Sequence, residues 1–338
     1  MKTVPRKRTR QFAPEAQSPR TAGPRFIDRE EVARRLTYDI SIPLIRDAMI
    51  AFSAGETKQL LRSIIPLDEG HLFGIMPGAL GASKPFGAKL ISIFPENAAQ
   101  GRQSHQGVIV LFEPETGTPV CIVHAGEVTA IRTAAASAVA TDALARNAAK
   151  HLAILGTGEQ AVTHARAISR IRRLASITVW GRSFERARAF AGRMHAELNL
   201  PITAVDSVEQ AVANADIIST VTAAPEPILK SNWVQPGTHI NAVGSSHAGP
   251  AEIDNALVAR ARFFADSREG VLHQGAEFLR AKQAGLIDDH HILAEIGEVL
   301  AGKAEGRRSD DAVTIYKSLG HIVQDLASAW WLYSQPES

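Results

Sequence analysis

The sequence predicts an α/β protein of two domains, one of which is built on a parallel sheet with helices on both faces. Three observations support this prediction. The chain has 338 residues, which is long for a single hydrophobic core. A buried strand runs into a glycine turn in the segment HLAILGTGEQA, residues 151–161, and helix and strand patterns alternate after it. The segment before the turn is rich in consecutive strands and predicts a second, α+β domain.

The glycine turn predicts a dinucleotide site of the Rossmann type. Gly156 allows the tight turn, Gly158 leaves room for a pyrophosphate, and Ala161 permits close packing of helix on strand. The helix that follows would direct its free amides and positive dipole end at the phosphates. A second strand at residues 177–183 completes a βαβ unit. The predicted phosphate contacts are Gly156, Thr157, Gly158, Glu159, Gln160 and Ala161.

The end of the second strand predicts which dinucleotide binds. Sites selective for NAD place an acidic residue there to bond the ribose 2′-hydroxyl, whereas this chain has Gly181-Arg182-Ser183. Arg182 can hold a 2′-phosphate, and Ser183 can donate a hydrogen bond to it. We therefore expect NADPH as the cofactor, with NADH remaining possible. The alternative is that Arg182 and Arg186 only form the solvated start of a helix.

The composition indicates a globular protein. Its 45% hydrophobic and 21% charged residues are ordinary, and no apolar run approaches the ~20 residues of a membrane span, so no membrane association is expected. The single cysteine, Cys121, has no partner for a disulfide or for a metal-ligand spacing. We therefore predict a buried structural thiol, no metal site and a cytoplasmic location.

Residues 1–24 form a separate block. They hold six Lys and Arg residues against Glu15 alone, a net charge of +5 in a chain whose total is +2. Four prolines and few apolar residues predict a disordered, solvated tail. Only Phe12 supplies an aromatic ring among these basic residues, so no nucleic-acid partner is expected.

The elements before the glycine turn follow in order. Segments 27–36 and 42–54 show helical periodicity. Strands are then predicted in HLFGIMPG, FGAKLISIFP and GVIVLFEPETGTPVCIVH, the last with a hairpin at residues 115–118. The alanine-rich segment 128–150 predicts a long helix with Thr129 as its candidate cap.

After the turn, helices are predicted at 184–198 and 208–213, and strands at 202–205 and in ADIISTVT, THINAVGSS and ARFFADS. The pattern then changes, and VTIYKSLGHIVQDLASAWWLYS is predicted to end the chain as an apolar helix. Such a helix needs a partner surface, for which the first domain is the candidate. That domain would then be discontinuous, with residues 25–145 and 307–338 flanking a nucleotide domain at 146–306. The aromatic rings of the helix also suggest burial in a subunit interface.

Three cations lie in apolar neighbourhoods of the first domain: Arg62, Lys89 and Arg132. A buried cation is costly unless it is paired. Taken singly, each is more readily explained as a salt-bridged or snorkelling side chain. Together they suit an anionic substrate. Lys89 is a candidate proton donor because desolvation lowers the pKa of an ammonium group.

These residues and motifs resemble those of a known protein family. From about residue 30 onwards the chain resembles the ornithine cyclodeaminase/mu-crystallin family, on the strings MPG at 76–78, the Lys89 strand, TAIRTAAASAVATDALAR, GTGEQA, AVGSSHAGPAEID and YKSLGHIVQD. The resemblance implies a homodimer joined through the strand-rich domain and an active site between that domain and the Rossmann domain. It further implies that Arg62 and Arg132 bind a substrate carboxylate and that Lys89 is catalytic. We add Met76 and Ser246 as substrate contacts, and Thr222, Val243 and Leu319 as cofactor contacts.

One departure separates the activities found within that family. Its cyclodeaminase members have an acidic residue in the loop written here as GSSHAGPAE, where this chain has Ser246. The chain therefore resembles the ketimine-reducing members more. These reduce a cyclic imino acid, converting Δ1-pyrroline-2-carboxylate into L-proline or Δ1-piperideine-2-carboxylate into L-pipecolate. Two alternatives stay open: ornithine cyclodeamination or alanine dehydrogenation on the same scaffold, and a protein that only binds NADPH.

Overall fold

The computed structural model describes residues 23–336, apart from the side chains at positions 98 and 99, and within that range the strands form two sheets. The tail predicted for residues 1–24 therefore lies outside the described residues except for its last two. The strands are β1 (Arg25–Ile27), β2 (Lys58–Gln59), β3 (Ser63–Pro66), β4 (Leu72–Ala79), β5 (Phe86–Ile93), β6 (His105–Phe112), β7 (Pro119–His124), β8 (His151–Leu155), β9 (Ser176–Trp180), β10 (Ile202–Ala204), β11 (Ile217–Thr220), β12 (His239–Ala242), β13 (Arg262–Ala265), β14 (Ile292–Glu295) and β15 (Thr314–Lys317). The helices are α1 (Arg29–Arg35), α2 (Tyr38–Ser53), α3 (Ala125–Leu144), α4 (Glu159–Ile171), α5 (Phe184–Leu198), α6 (Val208–Val212), α7 (Asn255–Arg260), α8 (Arg268–Gln274), α9 (Ala276–Gln283), α10 (Ile296–Leu300) and α11 (Ile322–Ser334).

The first sheet has the order β1-β7-β6-β5-β4-β2, with β3 also paired to β4. All of its pairs are antiparallel except β1 with β7. Because side chains alternate between the faces of a strand, Ile109 and Leu111 of β6 point to one face and are fully buried there. They pack with Leu326 and Ala329 of α11 in one apolar core. The terminal helix thus covers the first sheet, as its apolar sequence predicted.

The long alanine-rich helix α3 begins earlier and ends earlier than predicted. Its cap is His124, whose Nδ1 accepts a hydrogen bond from the amide of Glu127. Thr129 lies more than a turn inside the helix, so its prediction as the cap is wrong. The helix ends at Leu144 because Ala145 takes an extended conformation. Most residues of α3 are buried, and many of them have small side chains. The helix packs against α2, α4 and α11.

The second sheet is entirely parallel in the described part of the chain, with the order β10-β9-β8-β11-β12-β15-β13-β14. Numbered in chain order from β8, the sheet has the order 3-2-1-4-5-8-6-7, so its first five positions match the 3-2-1-4-5 part of the Rossmann arrangement, and β15 is inserted beside β12. The direction of strand addition reverses between β8 and β11, and ligands of such sheets bind at the carboxyl ends of the strands at that reversal. The predicted α/β class is confirmed.

The strand β15 corrects the predicted domain boundary. The segment after residue 307 was expected to belong wholly to the first domain as one helix, but Thr314–Lys317 pairs with β12 on one side and β13 on the other. All four of its residues are buried. These residues are buried because β15 lies in the interior of the second sheet. The chain therefore returns to the first domain at residues 318–321 and not at residue 307.

Two smaller corrections concern the start of the chain. The helix predicted at 27–36 is shorter, since Arg25–Ile27 forms a strand beside β7 and Asp28 caps α1. The helix predicted at 42–54 starts four residues earlier, at Tyr38. Among the helices of the described segment, none has the length and apolar character that crossing a bilayer requires.

Candidate active site

The turn after β8 has the geometry of a phosphate-binding loop. Gly156 has a φ of +130°, and a Cβ there would lie 2.7 Å from the carbonyl oxygen of Val221, so only glycine fits. Gly158 is the N-cap of α4, and a Cβ there would meet no atom of the described chain within 4 Å. The space in front of the helix is therefore open. Ala161 is fully buried against the sheet, as its small size predicted.

The first turn of α4 also contacts the first domain. Glu159, the first residue of the helix, accepts a hydrogen bond of 2.6 Å from the side chain of Gln103. Gln160 uses its carbonyl to hold His164. Thr157 is half-buried in the turn itself. The residues predicted around the phosphates thus lie together at the start of one helix.

The end of β9 presents the residues expected at a ribose 2′-phosphate. Arg182 is exposed. Ser183 caps α5, and its hydroxyl accepts a hydrogen bond of 3.3 Å from the amide of Arg186. Because a hydroxyl group is donor and acceptor at once, Ser183 keeps its own hydrogen available for an anion. No acidic residue occupies the segment Gly181-Arg182-Ser183.

Thr222 lies beside the predicted cofactor groove with both of its donors already used. Its amide and its hydroxyl donate to Oε1 of Glu252, at 2.6 and 2.7 Å. The other oxygen of Glu252 accepts bonds from Thr220 and from the amide of Gly244. Glu252 therefore ties the loop after β11 to the loop after β12, and the sequence analysis missed it. Thr222 retains only its carbonyl and methyl groups for a ligand.

The remaining predicted contacts lie on loops at the same edge of the sheet. Val243 directly follows β12 and is buried, and Ser246 is half-buried three residues later. Ser246 makes no hydrogen bond to Arg62, Lys89 or Arg132 within residues 23–336. The amide of Leu319 donates to Asp266 at 2.7 Å, and this bond fixes the loop after β15.

The cation cluster contains a buried ion-pair network. Lys89 on β5 and Arg132 on α3 are both almost fully buried, and both pair with Asp325 of α11. The Nζ of Lys89 lies 2.8 Å from Oδ2 of Asp325, and the Nε of Arg132 lies 3.0 Å from Oδ1. Gln324 accepts a further bond from Nη1 of Arg132 at 2.9 Å. Two of the three predicted cations are thus salt-bridged, and to one shared carboxylate.

Burial and the neighbouring charges act in opposite directions on the pKa values of Lys89 and Asp325. Burial lowers the pKa of Lys89 from 10.5 to about 8, and Asp325 opposes that change. Burial would raise the pKa of Asp325, but the charges of Arg132 and Lys89 and the hydrogen bonds from both hold it below its ordinary value. Asp325 is therefore a carboxylate at neutral pH. The pKa of Lys89, at about 8, lies close to neutral pH.

Arg62 is the third member and lies at the edge of the cluster. Its Nη2 donates to the carbonyl oxygens of Leu319 and Gly320, at 2.5 and 2.7 Å. Gly320 has a φ of +81°, and a Cβ there would approach Nη1 of Arg132 to 2.5 Å, so glycine lets the loop pass between the two arginines. The amides of the same loop donate to the buried carboxylate of Asp266.

A cleft lined by residues of both domains lies beside these groups. Arg62 and Met76 line it from the first domain, and Asp266 and Gly270 line it from the second. Met76 is paired with Lys89 across β4 and β5. His321 forms part of the wall, and burial followed by the charge of Arg62 lowers its pKa to about 3, so its ring is neutral. Leu319, predicted as a cofactor contact, also lines this cleft.

Asp325, His321 and Asp266 were missed in the sequence analysis. The sequence does carry a signal for Asp325, because it is the only charged residue of α11, whose sequence is IVQDLASAWWLYS. A single carboxylate in a buried helix needs a partner. Asp266 and His321 stand in short loops, where the sequence gives no comparable sign.

Comparison with known proteins gives a consistent result. The sequence pattern of the ornithine cyclodeaminase/mu-crystallin family matches residues 24–338. The chain is 35% identical over 290 residues to a Delta(1)-pyrroline-2-carboxylate reductase of Bacillus cereus, covering 85% of this chain and 89% of that protein. It is 34% identical over 315 residues to the ketimine reductase mu-crystallin of Mus musculus, covering 92% and 96%.

A solved structure agrees with these relatives. The Delta(1)-pyrroline-2-carboxylate reductase of Thermococcus litoralis, determined in complex with NADH and L-proline, superposes with a TM-score of 0.88 at 33% identity. The match covers 91% of this chain and 96% of that one. Both domains are therefore similar to a protein that holds a dinucleotide and a cyclic amino acid together.

The open space at Gly158 yields a prediction. Gly158→Ala should leave the melting temperature nearly unchanged, because the new methyl group meets no atom of the chain. It should weaken dinucleotide binding at least about tenfold, or about 1.4 kcal/mol, because the methyl group occupies the approach to the pyrophosphate. Fluorescence titration with NADPH measures this. Gly192→Ala, on the exposed face of α5, is the matched control and should bind normally. Equal affinities for all three proteins would contradict the assignment of the turn.

Proposed function

The chain belongs to the ornithine cyclodeaminase/mu-crystallin family, and from this premise we propose that it reduces cyclic ketimine acids with NADPH. The proposed reaction converts Δ1-pyrroline-2-carboxylate into L-proline, with the six-membered Δ1-piperideine-2-carboxylate as a second candidate substrate. The observation that carries the proposal is a cluster of three cations, two of them almost fully buried, beside a cleft lined by both domains. When bound, the reduced nicotinamide supplies the hydride that the imine carbon accepts.

The charges around the cleft favour a substrate with one carboxylate. Arg62, Lys89 and Arg132 face two buried carboxylates, those of Asp325 and Asp266. Burial raises the pKa of Asp266 and backbone hydrogen bonds oppose that change; with both carboxylates ionised, one positive charge is left over. A single substrate carboxylate would neutralise it, whereas a second would leave an unpaired buried anion, which is costly.

The two arginines retain donors for such a carboxylate. Arg132 commits Nε and Nη1 to Asp325 and Gln324, so its Nη2 group has no partner among the described residues. Arg62 commits Nη2 to two carbonyl oxygens, which leaves Nε and Nη1. One donor from each arginine would hold the carboxylate at two points and fix the orientation of the ring.

Lys89 is the group that would activate the imine. Its ammonium donates to Asp325 and lies 3.4 Å from the hydroxyl of Thr129, so one N–H remains. Donation of a proton to the ring nitrogen makes the neighbouring carbon electrophilic enough to accept a hydride. Met76, directly opposite Lys89 in the sheet, would contact the apolar part of the ring. Ser246 would hold a water molecule or the nicotinamide end of the cofactor.

Cofactor choice, assembly and location complete the proposal. Arg182 and Ser183 favour NADPH over NADH because they offer a cation and a hydroxyl where an acidic residue would select NAD. A homodimer through the first sheet is supported by exposed apolar side chains there, including Phe26, Ile65 and Phe86. A single unpaired, buried cysteine and the use of NADPH both favour the cytoplasm.

The function is tested by turnover. Purified protein with NADPH should reduce Δ1-pyrroline-2-carboxylate and release L-proline, measured as loss of NADPH absorbance and by chiral analysis of the product. Ammonia released from ornithine without net consumption of cofactor would instead identify a cyclodeaminase, and NADPH oxidation that requires pyruvate with ammonia an alanine dehydrogenase. Tight NADPH binding without turnover of any of these compounds would identify a binding protein.

The assignment of Lys89 is tested by substitution and by pH. Lys89→Met should lower kcat by ~10²–10⁴, the usual loss on removing a positioned acid, while NADPH affinity stays unchanged. In the unsubstituted protein, kcat should fall as the pH rises through about 8, because Lys89 is protonated below its pKa and loses the donated proton above it. Full turnover by Lys89→Met would show that the lysine is structural.

The preference for NADPH is tested at the end of β9. Arg182→Ala should weaken NADPH binding about 10- to 100-fold, which corresponds to the loss of one hydrogen bond to a charged group, and should leave NADH binding unchanged. Arg193→Ala, also exposed but further along α5, is the control and should affect neither cofactor. Equal losses for the two cofactors would refute the 2′-phosphate contact.

A further inference from the structure

One carboxylate serves two cations that the proposed reaction uses for different purposes. Asp325 gives one oxygen to Lys89 at 2.8 Å and the other to Arg132 at 3.0 Å. The side chain of Asp325 is completely buried. Both oxygens are thus occupied, and neither faces the cleft. Asp325 can act on a substrate only through its two partners.

The first turn of α11 holds this carboxylate rigidly. Asp325 lies in that turn, where the positive end of the helix dipole stabilises an anion. Gln324 bonds Nη1 of Arg132 and also closes a capping box with His321. Arg132 is therefore held at two adjacent nitrogens by two successive residues of one helix. These two hydrogen bonds fix the plane of the Arg132 guanidinium group.

We propose that Asp325 is the positioning residue that keeps Lys89 and Arg132 in their working geometry, and that it does so without touching the substrate. This inference rests on the proposed function for the roles of the two cations. It adds that the proton donor and the carboxylate binder are not independent, because one side chain on the C-terminal helix fixes the separation between them.

A consequence of the shared carboxylate concerns the charge on Lys89. Two elements present cations close to Lys89: Arg132 from α3 and Arg62 from the segment before β3. His105 of β6 also faces these charges, but burial lowers its pKa to about 4, so its ring is neutral. His321 also faces the group, but burial keeps it neutral. Asp325 is the one carboxylate that acts directly on Lys89 among the described residues. Without it, Lys89 would lose its proton at a lower pH.

A purely structural carboxylate would behave differently. Removing one partner of a buried ion pair is destabilising in any protein, so a loss of stability alone does not separate the two roles. A shift in the titration of Lys89 does separate them, because a structural contact elsewhere on α11 would not produce it.

The test compares two substitutions on the same helix. Asp325→Asn removes the charge at nearly constant volume. Ser328→Ala is the matched control, because Ser328 is equally buried one turn later and its hydroxyl bonds only the carbonyl of Gln324. Each protein is followed by kcat against pH, by KM, and by NMR titration of the Lys89 side chain, whose signal is identified by its absence in Lys89→Met. The NMR titration needs no turnover and so tests the inference even if no imino acid is reduced.

For Asp325→Asn we expect the Lys89 titration and the alkaline limb of kcat to move at least about one pH unit lower, the usual effect of losing an adjacent opposite charge. We also expect a raised KM and unchanged NADPH affinity. Ser328→Ala should lose stability but keep the pH profile. If Asp325→Asn does not fold, Asp325→Glu retains the charge at a changed distance. It should keep a nearly normal pH profile and raise KM.

Two results would overturn the inference. One is a Lys89 titration that is the same in Asp325→Asn as in the unsubstituted protein. The other, read from Asp325→Glu, is a normal KM, which would show that the position of the carboxylate does not matter. If the Lys89 titration shifts as expected but no cyclic imino acid is turned over, the proposed function fails while the role of Asp325 in holding the proton on Lys89 stands.

Discussion

The carboxylate of Asp325 is the interaction on which the region between the two sheets depends. Folding buries Lys89 and Arg132 from two different elements, and neither could be desolvated without an anion nearby. The C-terminal helix supplies that anion while its apolar residues cover the first sheet. The packing that stabilises the domain and the electrostatics that prepare the cleft are therefore produced by the same helix.

The second sheet decides where that cleft lies. Its strands are parallel, so the loops after β8, β11, β12, β13 and β15 all emerge at one edge. The glycine turn after β8 and the loop after β11 flank the reversal in strand order, where ligands of such folds bind. The loop after β15, at residues 318–321, leaves the same edge and forms one wall of the cleft. A dinucleotide on this sheet and a small acid beside Arg62 would thus meet without any rearrangement of the strands.

Much of this arrangement could be predicted from the sequence, but not the pairing of its charges. The βαβ unit, the antiparallel strands and the three cations follow from periodicity and from local motifs. The strand β15 was missed because its apolar residues lie shortly before those of α11 and were assigned to the same helix, and because its partner strands are distant in sequence. Asp325 lies 236 residues from Lys89 and 193 from Arg132, and no local pattern encodes a contact over such separations. The cap of α3 was misplaced because histidine is an uncommon N-cap residue.

The path of the chain between the two sheets has a mechanical consequence. In the described segment the chain crosses once at residues 145–150 and returns at residues 318–321. The return crossing is also the loop whose carbonyl oxygens hold Arg62 and whose amides are held by Asp266. Any hinge rotation of one sheet against the other must flex this loop. Opening the cleft would therefore strain the contacts of Arg62, because the segment that would have to flex is the one whose carbonyl oxygens bind this side chain.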